Sequence, residues 1–283
     1  MTWTHFPPPS HSDELKVGFP QDHVLLLTLN RPHHLNAITP RLSADIAAVL
    51  KWFDEEPSLW VVVVTGEGRV FCAGADLKTW HTNQSANRTT EPEDIATSLH
   101  GFASLSRRHT SPKPMIAALN GSAYGGGVEI VLNCDLVVAP RDAVFALPEV
   151  KRGVVAAQGV IPRLARVAGH QLASEMLLLG NPISATDARD RFRFITAVVP
   201  TPSSVLPTAL ALASHITSNS PDAVQCTKEG LLLAQQLAGH EEVVRTHALG
   251  TLSRRVYEGA NVKEGLAAFV QKRTPKWTNP AKL

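Results

Sequence analysis

The stretch that decides the fold is Asn120-Gly121-Ser122-Ala123-Tyr124-Gly125-Gly126-Gly127-Val128-Glu129. The apolar run at residues 115–119 precedes it and predicts a β-strand, whereas the apolar residues 130–132 that follow predict a short helix. Three glycines therefore stand where a strand turns into a helix. Because glycine has no Cβ, another group can approach the backbone closely at this point.

The start of that helix is a candidate anion site. The first N–H groups of a helix have no partner inside it, and the helix dipole favours negative charge there. Such a site can hold an anion that exists only in a transition state. Glu129 follows Gly126 by about one helical turn, so its carboxylate can face the same side as the exposed amides. By itself, a triple glycine more often serves only tight packing, with Glu129 on a solvated face.

The residues upstream of this stretch predict more strands and helices. Residues 24–29 and 60–65 predict buried strands. Regularly spaced apolar side chains predict a helix over residues 41–54, with Thr39-Pro40 at its start. Residues 70–77 again place small residues after an apolar segment, which predicts a second close backbone approach. A helix is predicted over residues 95–108.

Downstream, the pattern changes from strands to helices. Residues 136–139 and 143–146 predict two strands that pair with each other, and residues 195–199 predict the last strand. Helical patterns cover residues 172–179, 185–189, 206–217, 223–237, 241–257 and 262–272. We therefore expect a strand-rich core at residues 1–202 and a helical region at residues 203–283. The helical region is expected to pack on the core or on another subunit.

Composition gives no support to several classes of function. The 283 residues carry a net charge of only +2, and no basic run with interleaved aromatic residues predicts nucleic-acid binding. No segment reaches the length needed to span a membrane, and the proline-containing start is unlike a signal peptide. The three widely spaced cysteines and the scattered histidines predict neither disulfides nor a metal site.

Short motifs spread along nearly the whole chain carry a family resemblance. They are Asn30-Arg31-Pro32 with Leu35-Asn36-Ala37, residues 71–77, residues 120–129, Cys134-Asp135-Leu136, Pro148-Glu149 and residues 264–273. In this order they resemble the enoyl-CoA hydratase/isomerase (crotonase) superfamily. The resemblance implies an α/β fold, a spiral of ββα units with a C-terminal helical region. It also implies assembly as a homotrimer or a hexamer.

The same resemblance assigns site residues. It implies that the backbone amides of Ala73 and Gly126 form an oxyanion hole for a thioester. It implies that coenzyme A, as part of an acyl-CoA substrate, contacts Leu35, Asn36, Ala37, Ala75, Asp76, Leu77 and Lys78. Lys78 is then expected to meet a phosphate, although an ordinary solvated lysine is an equal alternative. No metal and no cofactor beyond the coenzyme A of the substrate is implied.

Two glutamates indicate the reaction. Adding water across a 2,3 double bond requires one group that takes a proton from water and one that gives a proton to the α-carbon. The hydratases of the family resemble this chain in holding two glutamates, which match Glu129 and Glu149 and suit these roles if their pKa values differ. We therefore expect an enoyl-CoA hydratase, a lyase of fatty-acid β-oxidation. The alternatives are a Δ3,Δ2-enoyl-CoA isomerase, which in this family generally needs only the match to Glu149, an acyl-CoA hydrolase or lyase, and a non-catalytic scaffold.

One segment departs from the family pattern. Hydratases of the family often have paired glycines before the arginine that matches Arg163, whereas this chain has residues 156–160, Ala-Ala-Gln-Gly-Val. Dienoyl isomerases would carry an aspartate at Ala157, so alanine argues against that activity. Gln158 either touches the substrate or satisfies backbone groups of the loop.

The C-terminal residues suggest a location. Ala281-Lys282-Leu283 is a small-basic-leucine triplet that resembles the receptor-read peroxisomal address. We expect a peroxisomal enzyme whose partner at this end is the import receptor. Chance is the alternative, because three residues carry little information.

Overall fold

The strands of this chain form two sheets, and successive strands from β3 to β8 alternate between them. The computed structural model describes residues 6–76 and 91–280, with only the backbone of Glu91. Its strands are β1 (Leu15–Gln21), β2 (Val24–Leu29), β3 (Val61–Gly66), β4 (Val70–Cys72), β5 (Met115–Ala118), β6 (Ser122–Tyr124), β7 (Leu136–Pro140), β8 (Val144–Ala146), β9 (Ile183–Ser184) and β10 (Ala197–Val199). A six-stranded sheet has the order β1-β2-β3-β5-β7-β10, and a four-stranded sheet has the order β4-β6-β8-β9.

Helices follow and cover these strands. They are α1 (Pro40–Glu55), α2 (Glu91–Thr97), α3 (Gly126–Asn133), α4 (Val160–Ala168), α5 (His170–Leu179), α6 (Ala185–Asp190), α7 (Val205–Thr217), α8 (Pro221–Gln236), α9 (His240–Ala248), α10 (Thr251–Glu258) and α11 (Ala260–Gln271). In the described parts of the chain, no helix is both long enough and apolar enough to cross a membrane.

Repeated pairs of strands build the spiral that the resemblance implies. In each of the pairs β3–β4, β5–β6 and β7–β8, the first strand joins the six-stranded sheet and the second joins the four-stranded sheet. Equivalent strands of successive pairs lie parallel, with Val62 opposite Met115 and Ile116 opposite Leu136. All six residues of β3 are buried, as expected for a parallel strand covered on both faces. The predicted α/β spiral of ββα units is confirmed.

Helix α1 forms where the apolar spacing predicts it. Thr39 caps its start by accepting a hydrogen bond from the Leu42 amide at 3.0 Å, and Pro40 takes the first helical position. The spaced apolar side chains, Leu42, Ile46, Val49, Leu50 and Phe53, are all buried in the main core. This helix therefore fixes the loop that precedes it against the core.

Two predictions about the segments near the site are wrong. The helix expected over residues 95–108 ends at Thr97, because Gly101, Ala103 and Ser104 have left-handed backbone angles with φ of 68°, 53° and 56°. The strands β7 and β8 do not pair with each other, since β8 lies between β6 and β9 in the other sheet. The first difference places Phe102 at the site described below, and the second places Glu149 there, just after β8.

The C-terminal helices combine a buried and an exposed apolar face. Helix α7 packs on the six-stranded sheet through Val205, Ala209 and Ala213. The single helix expected over residues 241–257 is two helices, α9 and α10, separated at Leu249-Gly250. Large apolar side chains stand exposed on or between α8 to α11: Leu231, Val244, Leu249, Tyr257, Leu266, Phe269 and Val270. The proposed division at residue 202 stays a prediction.

Candidate active site

The glycine stretch forms the cradle that its sequence predicts. Strand β6 ends at Tyr124, Gly125 turns with a φ of 53°, and α3 begins at Gly126. A Cβ on Gly126 would lie 2.4 Å from the Phe102 ring, and one on Gly127 would lie 2.4 Å from the carbonyl oxygen of Cys72. The glycines are therefore required because β4 and Phe102 pack directly against the start of the helix.

A cavity of about 510 Å³ opens beside this cradle. Both predicted catalytic residues, Glu129 and Glu149, lie in its wall together with Gly126. Apolar side chains from three other segments complete much of the wall: Ile38, Ile95, Phe102, Ala103, Val154, Val155, Ala156 and Ala157. An apolar cavity with a few convergent polar groups is the usual form of a small-molecule site.

Glu129 is buried and held by backbone amides. Its Oε1 accepts a hydrogen bond from the Gln158 amide at 2.7 Å and lies 3.5 Å from the Val160 amide. Burial, aided by the nearby Glu149 and opposed by the two amides, raises the pKa of Glu129 to about 7. The carboxylate is thus fixed in position and titrates close to neutral pH.

Glu149 reaches the cavity from a different segment of the chain. It lies in a 3₁₀ turn, Pro148–Arg152, and a Cβ on Gly125 would be only 2.8 Å from its Oε1. Its Oε2 is buried and has no hydrogen-bond partner among the described residues. Burial raises the pKa of Glu149, while its own backbone amide and Arg152 act in the other direction. The fold therefore brings the two glutamates to one space, as predicted.

At the predicted oxyanion hole, one of the two expected amides needs a correction. The Ala73 amide already donates to the Leu35 carbonyl at 3.0 Å, so it is not free to hold a thioester oxygen. Ala75 forms a parallel bridge with Ile38, in which the bonds are made by Gly74 and Asp76. Successive amides of an extended segment point in opposite directions, so the Ala75 amide faces away from that bridge. Among the described residues it has no backbone acceptor, and the same holds for Gly126.

The predicted coenzyme A residues are divided by the structure. Ala75 and Asp76 line the cavity, whereas Leu35, Asn36 and Ala37 do not. Asn36 is fully buried, and its side chain holds the loop by bonding the Arg31 amide and the carbonyls of residues 67 and 70. The Asn36 side chain therefore has a structural role, and the coenzyme A contacts expected at Leu35, Asn36 and Ala37 stay a prediction. Leu77 and Lys78 lie outside the described residues.

Several cavity residues were not identified from sequence. Tyr124 precedes the glycines on β6 and lines the cavity, and a strand that ends at the site was the available signal for it. Phe102 gave no such signal, because its place over Gly126 depends on the left-handed residues that surround it. Thr39 and Arg152 also line the cavity. Gln158, singled out above as an open question, is a lining residue as well.

A group of potential metal ligands lies elsewhere. Ligand atoms of Cys226, Glu229 and His247 come within 4.8 Å of one another on α8 and α9. Nε2 of His247 is 2.8 Å from the Cys226 carbonyl oxygen, and the ring packs over Gly230. This helix packing accounts for the cluster, and none of the three residues lines the cavity.

Comparison with known proteins gives consistent results. The family model described as enoyl-CoA hydratase/isomerase matches residues 20–280. A mevalonyl-coenzyme A hydratase of Beauveria bassiana is 43% identical over 98% of both chains. A mevalonyl-coenzyme A hydratase of Aspergillus fumigatus is 44% identical over 94% of this chain and 95% of its own. The crystal structure of an enoyl-CoA hydratase from Mycobacterium tuberculosis superposes with a TM-score of 0.83 and 32% identity, covering 94% of this chain and 99% of that one.

Proposed function

This chain belongs to the enoyl-CoA hydratase/isomerase family and is a hydratase, and we propose that it adds water to a 2-enoyl-CoA by a two-glutamate mechanism. The observation that carries the mechanism is the convergence of Glu129 and Glu149 on one cavity beside two unbonded amides. Two carboxylates held in different environments can divide the work of acid and base.

The amides and glutamates take separate parts in this mechanism. The amides of Ala75 and Gly126 hold the thioester oxygen and stabilise the enolate that forms when water adds to C3. Glu129, whose negative charge is stabilised by the backbone N–H of Gln158, takes a proton from that water. Glu149, whose Oε2 lacks a partner to stabilise a charge, gives a proton to C2. In the reverse direction the same groups remove water.

We further propose that the acyl group is branched and hydroxylated. Two relatives above 40% identity, matched over almost their whole length, bear the name mevalonyl-coenzyme A hydratase. The corresponding reaction would interconvert 3,5-dihydroxy-3-methylpentanoyl-CoA with 5-hydroxy-3-methylpent-2-enoyl-CoA and water. The fatty-acid β-oxidation role expected from the family at large stays a prediction, and these relatives favour the branched six-carbon acyl group. Hydration needs no electron carrier, so no cofactor beyond the coenzyme A of the substrate is proposed.

The decisive assay follows the absorbance of the unsaturated thioester with purified protein. We expect 5-hydroxy-3-methylpent-2-enoyl-CoA to be consumed with a higher kcat/KM than crotonyl-CoA. Consumption of crotonyl-CoA alone would refute the proposed acyl group. If Glu129→Gln keeps full activity and a 3-enoyl-CoA is shifted to the 2-enoyl-CoA, the isomerase alternative replaces the two-glutamate mechanism.

The assembly proposal rests on the exposed apolar side chains of α8 to α11. Phe269 is 84% exposed and Val270 is 79% exposed, Leu266 on the same helix is also exposed, and four more such residues lie on or between α8 to α10. Extensive exposed apolar surface typically marks a protein interface. We propose that second copies of the chain cover it in a trimer or hexamer. Light scattering at micromolar concentration should give three or six times the mass of 30.5 kDa; a monomer would contradict the proposal.

The location remains a separate proposal. Ala281-Lys282-Leu283 lies outside the described residues, and its proposed partner is the peroxisomal import receptor. A fluorescent protein carrying these last residues should enter peroxisomes, and removal of Leu283 should leave it in the cytosol. Cytosolic fluorescence with the intact tail would refute the proposal.

A further inference from the structure

Gln158 stands out in the cavity wall because its neighbours are apolar. It lies just before α4, after Val154, Val155, Ala156 and Ala157, and all five residues line the cavity. The side chains of the four preceding residues offer no hydrogen-bonding group. The side-chain amide of Gln158 is therefore the polar side-chain group of this part of the wall.

The backbone of Gln158 is fixed while its side chain is not bonded. Its N–H donates to Glu129 at 2.7 Å, and its carbonyl accepts from the Ser106 hydroxyl at 2.6 Å. In contrast, the side-chain Oε1 is buried without a partner in the described protein. Buried polar side chains nearly always have a hydrogen-bond partner, so an unpaired amide on a cavity wall indicates that a ligand supplies one.

A hydroxyl group fits this amide better than a charged or apolar group does. It can both donate and accept, so it can pair with the amide oxygen or with the amide nitrogen. An uncharged amide offers no balancing charge to a carboxylate, and an apolar chain would leave the amide unpaired. In the proposed acyl group the terminal hydroxyl is on C5, two carbons beyond the C3 at which Glu129 directs water. Gln158 is tied to that same Glu129.

We propose that Gln158 selects the substrate by hydrogen bonding, through its side-chain amide, to the hydroxyl at the far end of the acyl chain. This inference rests on the proposed hydratase function. It makes Gln158 a specificity residue in addition to the glutamates, because its side chain meets the acyl group where no bond is made or broken.

The test compares two substrates that differ in one oxygen atom. They are 5-hydroxy-3-methylpent-2-enoyl-CoA and 3-methylpent-2-enoyl-CoA. Gln158→Met keeps the length of the side chain and removes its hydrogen-bonding groups. We expect kcat/KM of this variant to fall about 10- to 100-fold for the hydroxylated substrate and to change less than about twofold for the other. Gln171→Met, on the exposed start of α5, is the matched control and should change neither value.

Each result has a definite meaning. Equal kcat/KM of the wild type for both substrates would overturn the specificity role and leave the hydratase function intact. The same is true if Gln158→Met keeps the wild-type preference. If Tyr124→Phe abolishes the preference and Gln158→Met does not, the hydroxyl is bound by Tyr124 instead. Failure of the wild type to hydrate either substrate would refute the proposed function itself. An unchanged melting temperature of Gln158→Met confirms that the variant folds.

Discussion

The two walls that carry the glutamates are built differently. Glu129 belongs to α3, whose first residues are wedged between Phe102 and the carbonyl of Cys72, and its carboxylate accepts backbone N–H bonds. Glu149 belongs to one short turn, and one of its oxygens has no partner among the described residues. The first wall holds a carboxylate in one position, whereas the second leaves a carboxyl group able to donate or accept. The difference suggests how a single site separates the two proton transfers of hydration.

Replacing Glu149 should produce the largest effect. Glu149→Gln keeps the shape but removes the group proposed to give a proton to C2, and we expect kcat to fall about 10³-fold. Steady-state hydration of the enoyl-CoA measures this, with circular dichroism to confirm folding. The double variant with Glu129→Gln should be little slower than the slower single variant, since residues that act as a unit are not additive. If the kcat loss of the double variant equals the product of the two single losses, the two glutamates act independently.

The pH dependence of stability should reveal the raised pKa of the buried Glu129. The folded pKa of Glu129, about 7, is above its ordinary value of 4.5, so the folded state binds this proton more tightly than the unfolded state. The corresponding stability is fully present below about pH 4.5 and is lost as pH rises through about 7. The loss amounts to roughly 3 kcal/mol. Urea unfolding of wild type and Glu129→Gln from pH 5 to 9 should show this decline in the wild type only, and parallel curves would contradict it.

The packing of the first wall can be broken without touching either glutamate. Gly127→Ala would place a Cβ 2.4 Å from the carbonyl oxygen of Cys72, which belongs to a buried strand and cannot easily move. We expect the free energy of unfolding to fall by about 1–3 kcal/mol. Gly18→Ala is the control, since its Cβ would lie at an ordinary 3.9 Å from the nearest atom. Equal stability of both variants in urea would show that the start of α3 does not pack tightly against the Cys72 carbonyl.

The smallest expected effect concerns the second wall alone. Arg152 lowers the pKa of Glu149 but is not among the causes that shift Glu129. Arg152→Met should therefore raise the pKa of Glu149 and move the alkaline limb of kcat/KM to higher pH, with little change in the acidic limb. Lys151→Met, a neighbouring loss of charge that does not act on Glu149, is the matched control. A shift of both limbs in the Arg152 variant would contradict the separation of the walls.

Sequence patterns predicted the parts of this fold that repeat a local rule. The apolar spacing of α1 placed all five of its core residues, and the strand–glycine–helix pattern placed the cradle and Glu129. The motif containing Glu149 was found by resemblance to the family. These features depend on residues near one another in the chain, or on motifs retained as short runs.

What sequence missed depends on contacts between distant segments. The correction from Ala73 to Ala75 reflects alternation along an extended segment, because the bridge to Ile38 decides which amides remain unbonded. Ala103 and Ser104 adopt left-handed angles although neither is glycine, and this brings Phe102 over Gly126. Strand β8 does not pair with β7 as predicted, because it forms its backbone pairs with β6 and β9 in the second sheet.

The hydrogen bond from the backbone N–H of Gln158 to Glu129 links acyl-group selectivity to the acidity of Glu129, two properties that protein engineering usually treats as independent. The loop that lines the proposed acyl pocket also supports the charge of a proposed catalytic carboxylate. Exchanging residues 154–159 for the loop of a relative, in order to accept a new acyl group, would thus alter the acidity of Glu129 as well. A redesigned selectivity would come with a displaced pH optimum, and adaptation of this enzyme to a different pH would proceed through the same few residues.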